Sequence, residues 1–288
     1  MAKHIIKRIQ ELQRRYHQSA IGKGALLKLL YETEVAEQVY NSNAIENSTL
    51  SLEETDKILQ QIILDRFISE RELFEAKNLA RVVTYIHNKA SETEVSLDVM
   101  QLLHKMLISN IRDDIAGRFR EANEWVRIGS HIAADPSQII VLLQSMLVAY
   151  RSTSQDNIIK RIARFHLTFE HIHPFVDGNA RIGRVLNNYL LIREGYVPIN
   201  IKFIDRSLYY DAFQAFDQNA NTQIMEDIVG SALSNSYHKR LAYLESKQIV
   251  SLSEYAKLKK LSHSNLLNKA KRQTIEAFWE RGKWQIGL

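Results

Sequence analysis

The sequence predicts a mainly α-helical fold with one small β-hairpin, ending in a compact module of two short helices and a second hairpin. Three observations predict it. Only three prolines and ten glycines interrupt 288 residues, so long helices form readily and loop-rich β architectures are disfavoured. Helix-start signatures recur: Ser51-Leu52-Glu53-Glu54 and Ser69-Glu70-Arg71-Glu72 place a hydroxyl three residues ahead of a Glu, and Asp135-Pro136 sets a cap before proline at the first helical position. From Ile158, the residues Ile162, Phe165, Phe169 and Ile172 follow at spacings of four, three, four and three, one buried stripe of a helix.

A further helix is expected from about Gly178 to Glu194, stopped by Gly195 with Pro198 just beyond. The stretch from Arg118 to His131 breaks the helical pattern; Trp125, Val126 and Ile128 beside Gly129 predict a short hairpin there. Near the C-terminus, Ser251-Leu252-Ser253-Glu254 repeats the capping pattern, a second short helix is expected around Ser264 to Arg272, and Phe278-Trp279, Arg281-Gly282 and Lys283-Trp284-Gln285-Ile286 form a small hairpin.

Composition narrows the function classes. With 45% apolar and 25% charged residues the chain has the balance of an ordinary globular protein. The absence of cysteine excludes disulfides, thiolate metal sites and cysteine nucleophiles. No apolar run approaches the roughly 18 residues of a spanning helix, and the charged, amphipathic start lacks the apolar stretch of a signal peptide. The expectation is a cytoplasmic protein with no membrane partner. From Arg240 onward ten Lys/Arg face four Asp/Glu, although the whole chain carries only +5. That surplus fits an anionic partner and fits a solvated basic face equally well.

Reactive residue types concentrate in His173-Pro174-Phe175-Val176-Asp177-Gly178-Asn179-Ala180-Arg181-Ile182-Gly183-Arg184, a loop expected to open into a helix N-terminus. Such an end offers unpaired N–H groups and the positive end of a helix dipole to a phosphate. Arg181 and Arg184 lie three apart, on one helical face, and can fork onto phosphate oxygens. Asp177 can hold a divalent cation, since Mg²⁺ takes one or two carboxylates plus substrate phosphates. His173 is the group in the loop suited to taking a proton near neutral pH. Together these describe a phosphate-transfer site.

The loop closely resembles the signature of the Fic (Fic/Doc) family, His-x-Phe-x-Asp/Glu-Gly-Asn-Gly/Lys-Arg-x-x-Arg, with agreeing flanks at Phe165-His166, Phe169-Glu170, Leu186, Asn187, Gly195-Tyr196 and Pro198. The resemblance covers roughly Val95 to Leu233 and implies the family's helical fold and a protein adenylyltransferase. His173 would deprotonate a Ser, Thr or Tyr hydroxyl of a target protein, which attacks the α-phosphate of ATP and releases pyrophosphate. Asp177 would coordinate Mg²⁺ (or Mn²⁺). Gly178, Asn179 and Ala180 would form the anion hole, and Arg181 and Arg184 would hold the β- and γ-phosphates. Ala180 departs from the usual Gly or Lys; it costs little if its φ is negative, and the Doc-type kinase variant has Lys there.

Other segments gain meaning beside that loop. Ser42-Asn43-Ala44-Ile45-Glu46-Asn47 resembles the family's inhibitory motif, Ser/Thr-x-x-x-Glu-Gly/Asn, in the class where it precedes the catalytic core. Glu46 against Arg184 would then block the γ-phosphate's partner. The hairpin residues Trp125, Val126, Arg127, Ile128 and Gly129 resemble the flap that pairs with an extended segment of the target. Tyr210 lies where the family places residues around the adenine. The C-terminal stretch resembles a helix-turn-helix or winged-helix module, which leaves contact with DNA and docking to a protein both open.

The resulting division is an N-terminal helical region over residues 1–94 with the inhibitory motif, a catalytic domain over 95–236, and a winged-helix-like module over 237–288. Self-modification and a homodimer are further expectations from the resemblance. Readings that keep the loop but move another nucleotide or phosphate, or remove AMP, stand beside it, as does a non-catalytic ATP-sensing, DNA-binding regulator.

Overall fold

The computed structural model describes residues 3–128 and 131–288, with the side chains of residues 3 and 4 outside that description. It divides into two compact units.

The larger unit takes in residues 35–196 and 201–226. It holds the C-terminal half of helix α2 (Gly24–Ile45), then α3 (Leu52–Leu59), α4 (Glu70–Lys89), α5 (Leu97–Ile108), α6 (Ile139–Ser152), α7 (Ile158–Ile172), α8 (Asn179–Arg193) and α9 (Arg206–Asn219). At its centre lies α8. Every residue from Arg181 to Leu191 is buried, as befits a helix with apolar residues on all sides. Helices α4, α5 and α7 pack around it, and α6 and α9 pack on α7.

The expected stripe of α7 is buried in full, from Ile158 through Ile162, Phe165 and Phe169 to Ile172. Burying each of these large side chains contributes about 1.5–3 kcal/mol. Caps fix the helix entries. Ser51 and Glu54 form the reciprocal capping box of α3, Ser69 accepts from the Glu72 N–H at the head of α4, and Asp135 with Pro136 opens a 3₁₀ turn that runs into α6. Each such cap is worth about 1 kcal/mol.

The hairpin is smaller than expected. Its strands are β1 (Arg127–Ile128) and β2 (His131–Ile132), paired antiparallel with Arg127 opposite Ile132 and Ile128 opposite His131. Gly129 lies outside the described residues. Residues 118–124 are engaged elsewhere: Arg118 is bound to Glu124 at 2.7 Å, and the Arg120 N–H donates to the Pro174 carbonyl at 2.8 Å, while the Val126 carbonyl accepts from the Ala133 N–H at 3.0 Å just beyond the paired residues. Trp125 and Val126 precede β1 rather than belonging to it.

The smaller unit gathers residues 1–34, 197–200 and 227–288. It includes α1 (Lys3–Ala20), most of α10 (Gln223–Leu244), β3 (Ile249–Ser251), α11 (Leu252–Leu258), α12 (His263–Lys271), β4 (Ala277–Glu280) and β5 (Lys283–Gly287). The three strands form an antiparallel sheet in the order β3-β5-β4. Leu252, Ala256, Leu266, Ala270, Ala277 and Ile286 make its small core. A buried ionic group ties the N-terminal segment into this unit: Glu34 meets Arg240 at 2.5 Å and Lys239 at 3.5 Å, and Lys239 reaches Glu280 at 2.7 Å.

This division differs from the one expected at 94/95 and 236/237. Residues 35–94 fold into the same unit as the family-like core, because α4 packs on α5 and α8. Residues 1–34 group instead with the C-terminal module.

Candidate active site

Helix α7 stops at His173, whose backbone enters the left-handed region at φ 51° and ψ 62° while its N–H still bonds the Phe169 carbonyl. That turn throws the chain into the loop leading to α8. Three internal fasteners hold the loop. The Asn179 amide accepts from the Phe175 N–H and donates to the Phe175 carbonyl, both at 2.8 Å. The fully buried Phe175 ring stacks on His104 at 3.8 Å. His104 Nδ1 accepts from the Gly117 N–H, so Nε2 carries the proton and donates to the Asp177 carbonyl at 3.0 Å.

A fourth fastener is the buried guanidinium of Arg120. It donates to the carbonyls of His173, Glu124 and Ala134 at 2.8 Å each and to that of Ile172 at 3.2 Å. One side chain thus pins the end of α7 to the segments on either side of the hairpin. Arg120 carried no signal of this kind in the sequence, since all its partners are backbone carbonyls.

Gly178 caps α8 at φ +78°, and a Cβ there would meet Ile108 at 3.1 Å and Leu107 at 3.3 Å. Ala180 follows within α8 and is not among the positive-φ residues. Its N–H is one of the first donors of the helix, which have no carbonyl partner a turn earlier. The substitution for Gly or Lys therefore leaves the backbone donor geometry intact.

His173 is largely buried, and its Nδ1 lies 3.8 Å from the Glu170 carboxyl. Burial, aided by the Arg120 charge and His131, lowers its pKa to about 4 despite the opposing effects of a backbone hydrogen bond to Glu170 and of the Asp177 charge. The imidazole is neutral at pH 7 and able to accept a proton. Burial tends to raise the Asp177 carboxyl, but Arg181, Arg71 and the Gly178 N–H together hold it below the usual range. Asp177 is about one-third exposed and accepts from Arg71 at 2.9 Å and from the Gly178 N–H at 2.6 Å. A hard, ionised oxygen donor at the mouth of a helix N-terminus has the chemistry to hold Mg²⁺.

The two arginines of the loop share a helical face by spacing, yet each has its own partners. Arg181 pairs with Glu75 at 3.1 Å and Asp177 at 3.5 Å. Arg184 donates through Nε to Ser42 Oγ at 3.0 Å, and through Nη2 to the Ser42 carbonyl at 2.8 Å and Glu46 at 3.1 Å. Its Nη1 donates to the Tyr209 hydroxyl at 3.2 Å, which in turn donates to His166 Nε2 at 2.8 Å. Burial lowers the His166 pKa to about 3, consistent with an accepting nitrogen.

Behind Arg184, burial raises the Glu170 carboxyl to about 8, so it is neutral at pH 7. A Cβ on Gly183 would approach Glu170 Oε1 at 2.4 Å and the His166 ring at 3.0 Å. Gly183 therefore serves the close approach of α7 to α8. Tyr210 is partly exposed; its hydroxyl reaches the Ile45 carbonyl at 3.4 Å, and Arg206 lies over its ring at 5.4 Å. It stands at the end of α2 beside Glu46.

Arg71, Glu75, Arg120 and His104 were not expected at the site. Only Arg71 and Glu75 left a trace, an i, i+4 opposite-charge pair on one helix. Such pairs are common on solvated faces, and here Glu75 is mostly covered while Arg71 stays about half exposed.

A neutral imidazole, an ionised aspartate and two carboxylate-held arginines gather around a helix N-terminus on a helical scaffold, an arrangement able to receive phosphate oxygens. Residues 94–191 match the Fic/DOC family. It is 29% identical over 215 residues to a protein adenylyltransferase Fic of Drosophila willistoni, covering 70% of this chain and 43% of that protein. It is 30% identical over 177 residues to one of Drosophila virilis, covering 60% and 36%. The chain thus spans less than half the length of these relatives.

Among solved structures, a Fic-domain-containing signalling protein of Bacteroides thetaiotaomicron superposes with a TM-score of 0.74 at 22% identity, over 83% of this chain and 97% of that one. Fic-1 of C. elegans superposes at 0.70 and 21% identity, over 84% and 72%. These likenesses show the fold.

Proposed function

We propose that the protein transfers AMP from ATP to a Ser, Thr or Tyr hydroxyl of a protein and that Glu46 restrains the reaction. The observation that carries this reading is the chain of contacts Glu46–Arg184–Tyr209 set beside the His173 loop. One arginine meant for a phosphate is occupied by a carboxylate of the same chain.

In this reading the N–H groups at the head of α8 receive phosphate oxygens, and Arg181 turns from Glu75 to the polyphosphate. His173, neutral at pH 7, takes the proton of the target hydroxyl as that oxygen bonds to the α-phosphorus; the α–β bridging bond breaks and pyrophosphate leaves with its electron pair. Mg²⁺ held at Asp177 neutralises phosphate charge when bound. While Glu46 holds Arg184, the γ-phosphate lacks that partner and ATP sits displaced from the attack line. The hairpin around Arg127 and Ile128 would hold the target's extended segment by strand addition.

The test is intact-mass spectrometry of wild type and Glu46→Gly after incubation with Mg²⁺ and ATP, with Glu46→Gly/His173→Ala as control. The reading expects an AMP increment, on the chain itself or on an added target, in Glu46→Gly alone. An increment of one phosphate would replace it with the kinase reading. No covalent change with retained ATP binding would replace it with the sensor reading.

For the smaller unit, one observation favours a nucleic-acid partner. Leu266 and Ala270 of α12 point into the module core, while Lys269, Lys271 and Arg272 are exposed. A basic helix face next to a small sheet suits contact with phosphates. Binding to duplex DNA should weaken linearly with log salt, and Lys269→Ala/Lys271→Ala should reduce the slope by about 2. Salt-independent binding, or none, would leave protein docking as the role.

A further inference from the structure

Three side chains outside the phosphate site converge from three separate elements. His131 is on β2 of the hairpin, His171 is in the last turn of α7, and Asp217 is near the end of α9. Each offers a ligand atom, and these atoms all lie within 4.8 Å of one another. His171 Nδ1 and Asp217 Oδ1 are 2.9 Å apart. The His131 and His171 rings stack at 4.0 Å with 27° between their planes. His131 Nε2 lies 3.0 Å from the His171 carbonyl, and since that carbonyl only accepts, Nε2 carries the proton.

From this geometry we propose a transition-metal site formed by His131, His171 and Asp217, distinct from the Mg²⁺ position at Asp177, that fastens the hairpin to α7 and α9. A His–Asp pair alone is an ordinary surface ion pair, worth little in stability. The third group sets this cluster apart: it reaches in from a hairpin strand only two residues long and lays its ring against His171. Two imidazoles and one carboxylate make a borderline donor set, suited to Zn²⁺ and its neighbours and unsuited to Mg²⁺, which wants oxygens.

One ligand pair already has close to the spacing such an ion needs, and the third atom lies within 4.8 Å of both. Zn–N and Zn–O bonds of about 2.0–2.1 Å place tetrahedral ligands about 3.3 Å apart. The His171–Asp217 pair is within a few tenths of an ångström of that. Loading puts the ion where His171 Nδ1 now shares a proton with Asp217. The neutral imidazole keeps one N–H, moved to Nε2, and any second proton leaves to water. With the proton on Nε2, His131 Nδ1 is the nitrogen left to bind an ion. Its bond to the His171 carbonyl is the kind of outer contact that fixes the tautomer of a ligating histidine. A fourth position stays open to water, since all three groups are at least partly exposed.

The position gives the site its role. His171 precedes His173 by two residues, and His131 lies on β2 of the hairpin proposed to seat the target. An ion here would tie that strand to two helices of the core and restrict its opening. Metal binding itself is independent of the AMP-transfer reading; only the consequence for target seating rests on it.

The test uses the metal-free full chain at neutral pH without Mg²⁺. Zn²⁺ titrations should give a one-to-one site with Kd below about 10 µM, equivalent to about 7 kcal/mol. His131→Gln, His171→Ala and Asp217→Ala should each weaken it at least about tenfold, the typical minimum for loss of a ligand or its support. Asp177→Asn should leave it unchanged. Co²⁺ loading should give the intense visible absorption of a four-coordinate ion in wild type and not in the three variants, which are surface changes and should unfold as wild type does. Zn²⁺ should also slow trypsin cleavage after Arg127 in wild type but not in His131→Gln, because a fastened hairpin opens less often.

Equal affinity across wild type and the three variants would overturn the proposal, as would a six-coordinate Co²⁺ spectrum. A protein that binds Zn²⁺ here but never labels from ATP would overturn the transfer reading and leave this site standing.

Discussion

At Gly178 two constraints meet, a positive φ and the near contact of Ile108 and Leu107. Gly178→Ala should therefore cost about 1–3 kcal/mol from backbone strain and overpacking combined, read as a lowered urea midpoint. Asn179→Ala strips both backbone groups of buried Phe175 of their partners. Each orphaned group costs about 1–3 kcal/mol, so stability and activity should fall together. His173 makes a sharper claim. With its pKa lowered to about 4 by burial, the acid limb of AMP transfer should lie well below the ordinary histidine range. A midpoint near 6.5 would show an imidazole in free solvent.

The elements around the loop differ in how plainly the sequence announces them. Helix α7 was legible because a stripe of Ile and Phe repeats at its period, and α8 because Gly178 and Gly195 bracket it. The roles of α2 and α4 were less legible. Glu46 could be read only through a motif resemblance, and the local pattern around Arg71 and Glu75 is that of a solvated face. Their partners Asp177 and Arg181 lie about a hundred residues on, and no local pattern encodes such a contact. The hairpin was overdrawn for a similar reason: Arg120 takes its backbone partners from the end of α7. A prediction follows for α4. In a Glu46→Gly background, Arg71→Ala removes the competitor for Asp177. The Mg²⁺ concentration for half-maximal transfer should drop about threefold or more, within the range of a single partly exposed ion pair. An unchanged Mg²⁺ requirement would show that Arg71 does not contest the ion.

Across the whole molecule, the same burial that tunes the site sets its response to acid. Burial lowers the pKa of His104, His173 and His238 to about 4 and of His166 to about 3. Between about pH 6.5 and 4 the unfolded chain binds protons at these imidazoles that the folded chain does not, so their stabilisation is present above 6.5 and is lost as pH falls. Glu170, raised to about 8 by burial, works the other way: its contribution is full below 4.5 and fades as pH rises through about 8. Four imidazoles outweigh one carboxyl. Denaturant midpoints should drop steeply from pH 6.5 to 4.5, and a flat profile would contradict the buried neutral histidines. The division into units was the least legible feature at this scale. The pairing of Glu34 with Arg240 spans 206 residues, and composition alone marked only the basic tail.

The central claim is that a carboxylate of the chain restrains a site built to move AMP. Removing one charge-assisted Arg–carboxylate contact, worth about 1.5–3 kcal/mol, corresponds to a rate change of about ten- to a hundredfold. The most direct measurement is label transfer by Glu46→Gly from ATP carrying its isotope at the α- or the γ-phosphate. The account predicts that α-label becomes protein-bound at least about tenfold faster than with wild type, and that γ-label does not stay with protein. Retained γ-label, or equal α-label rates in wild type and variant, would contradict it.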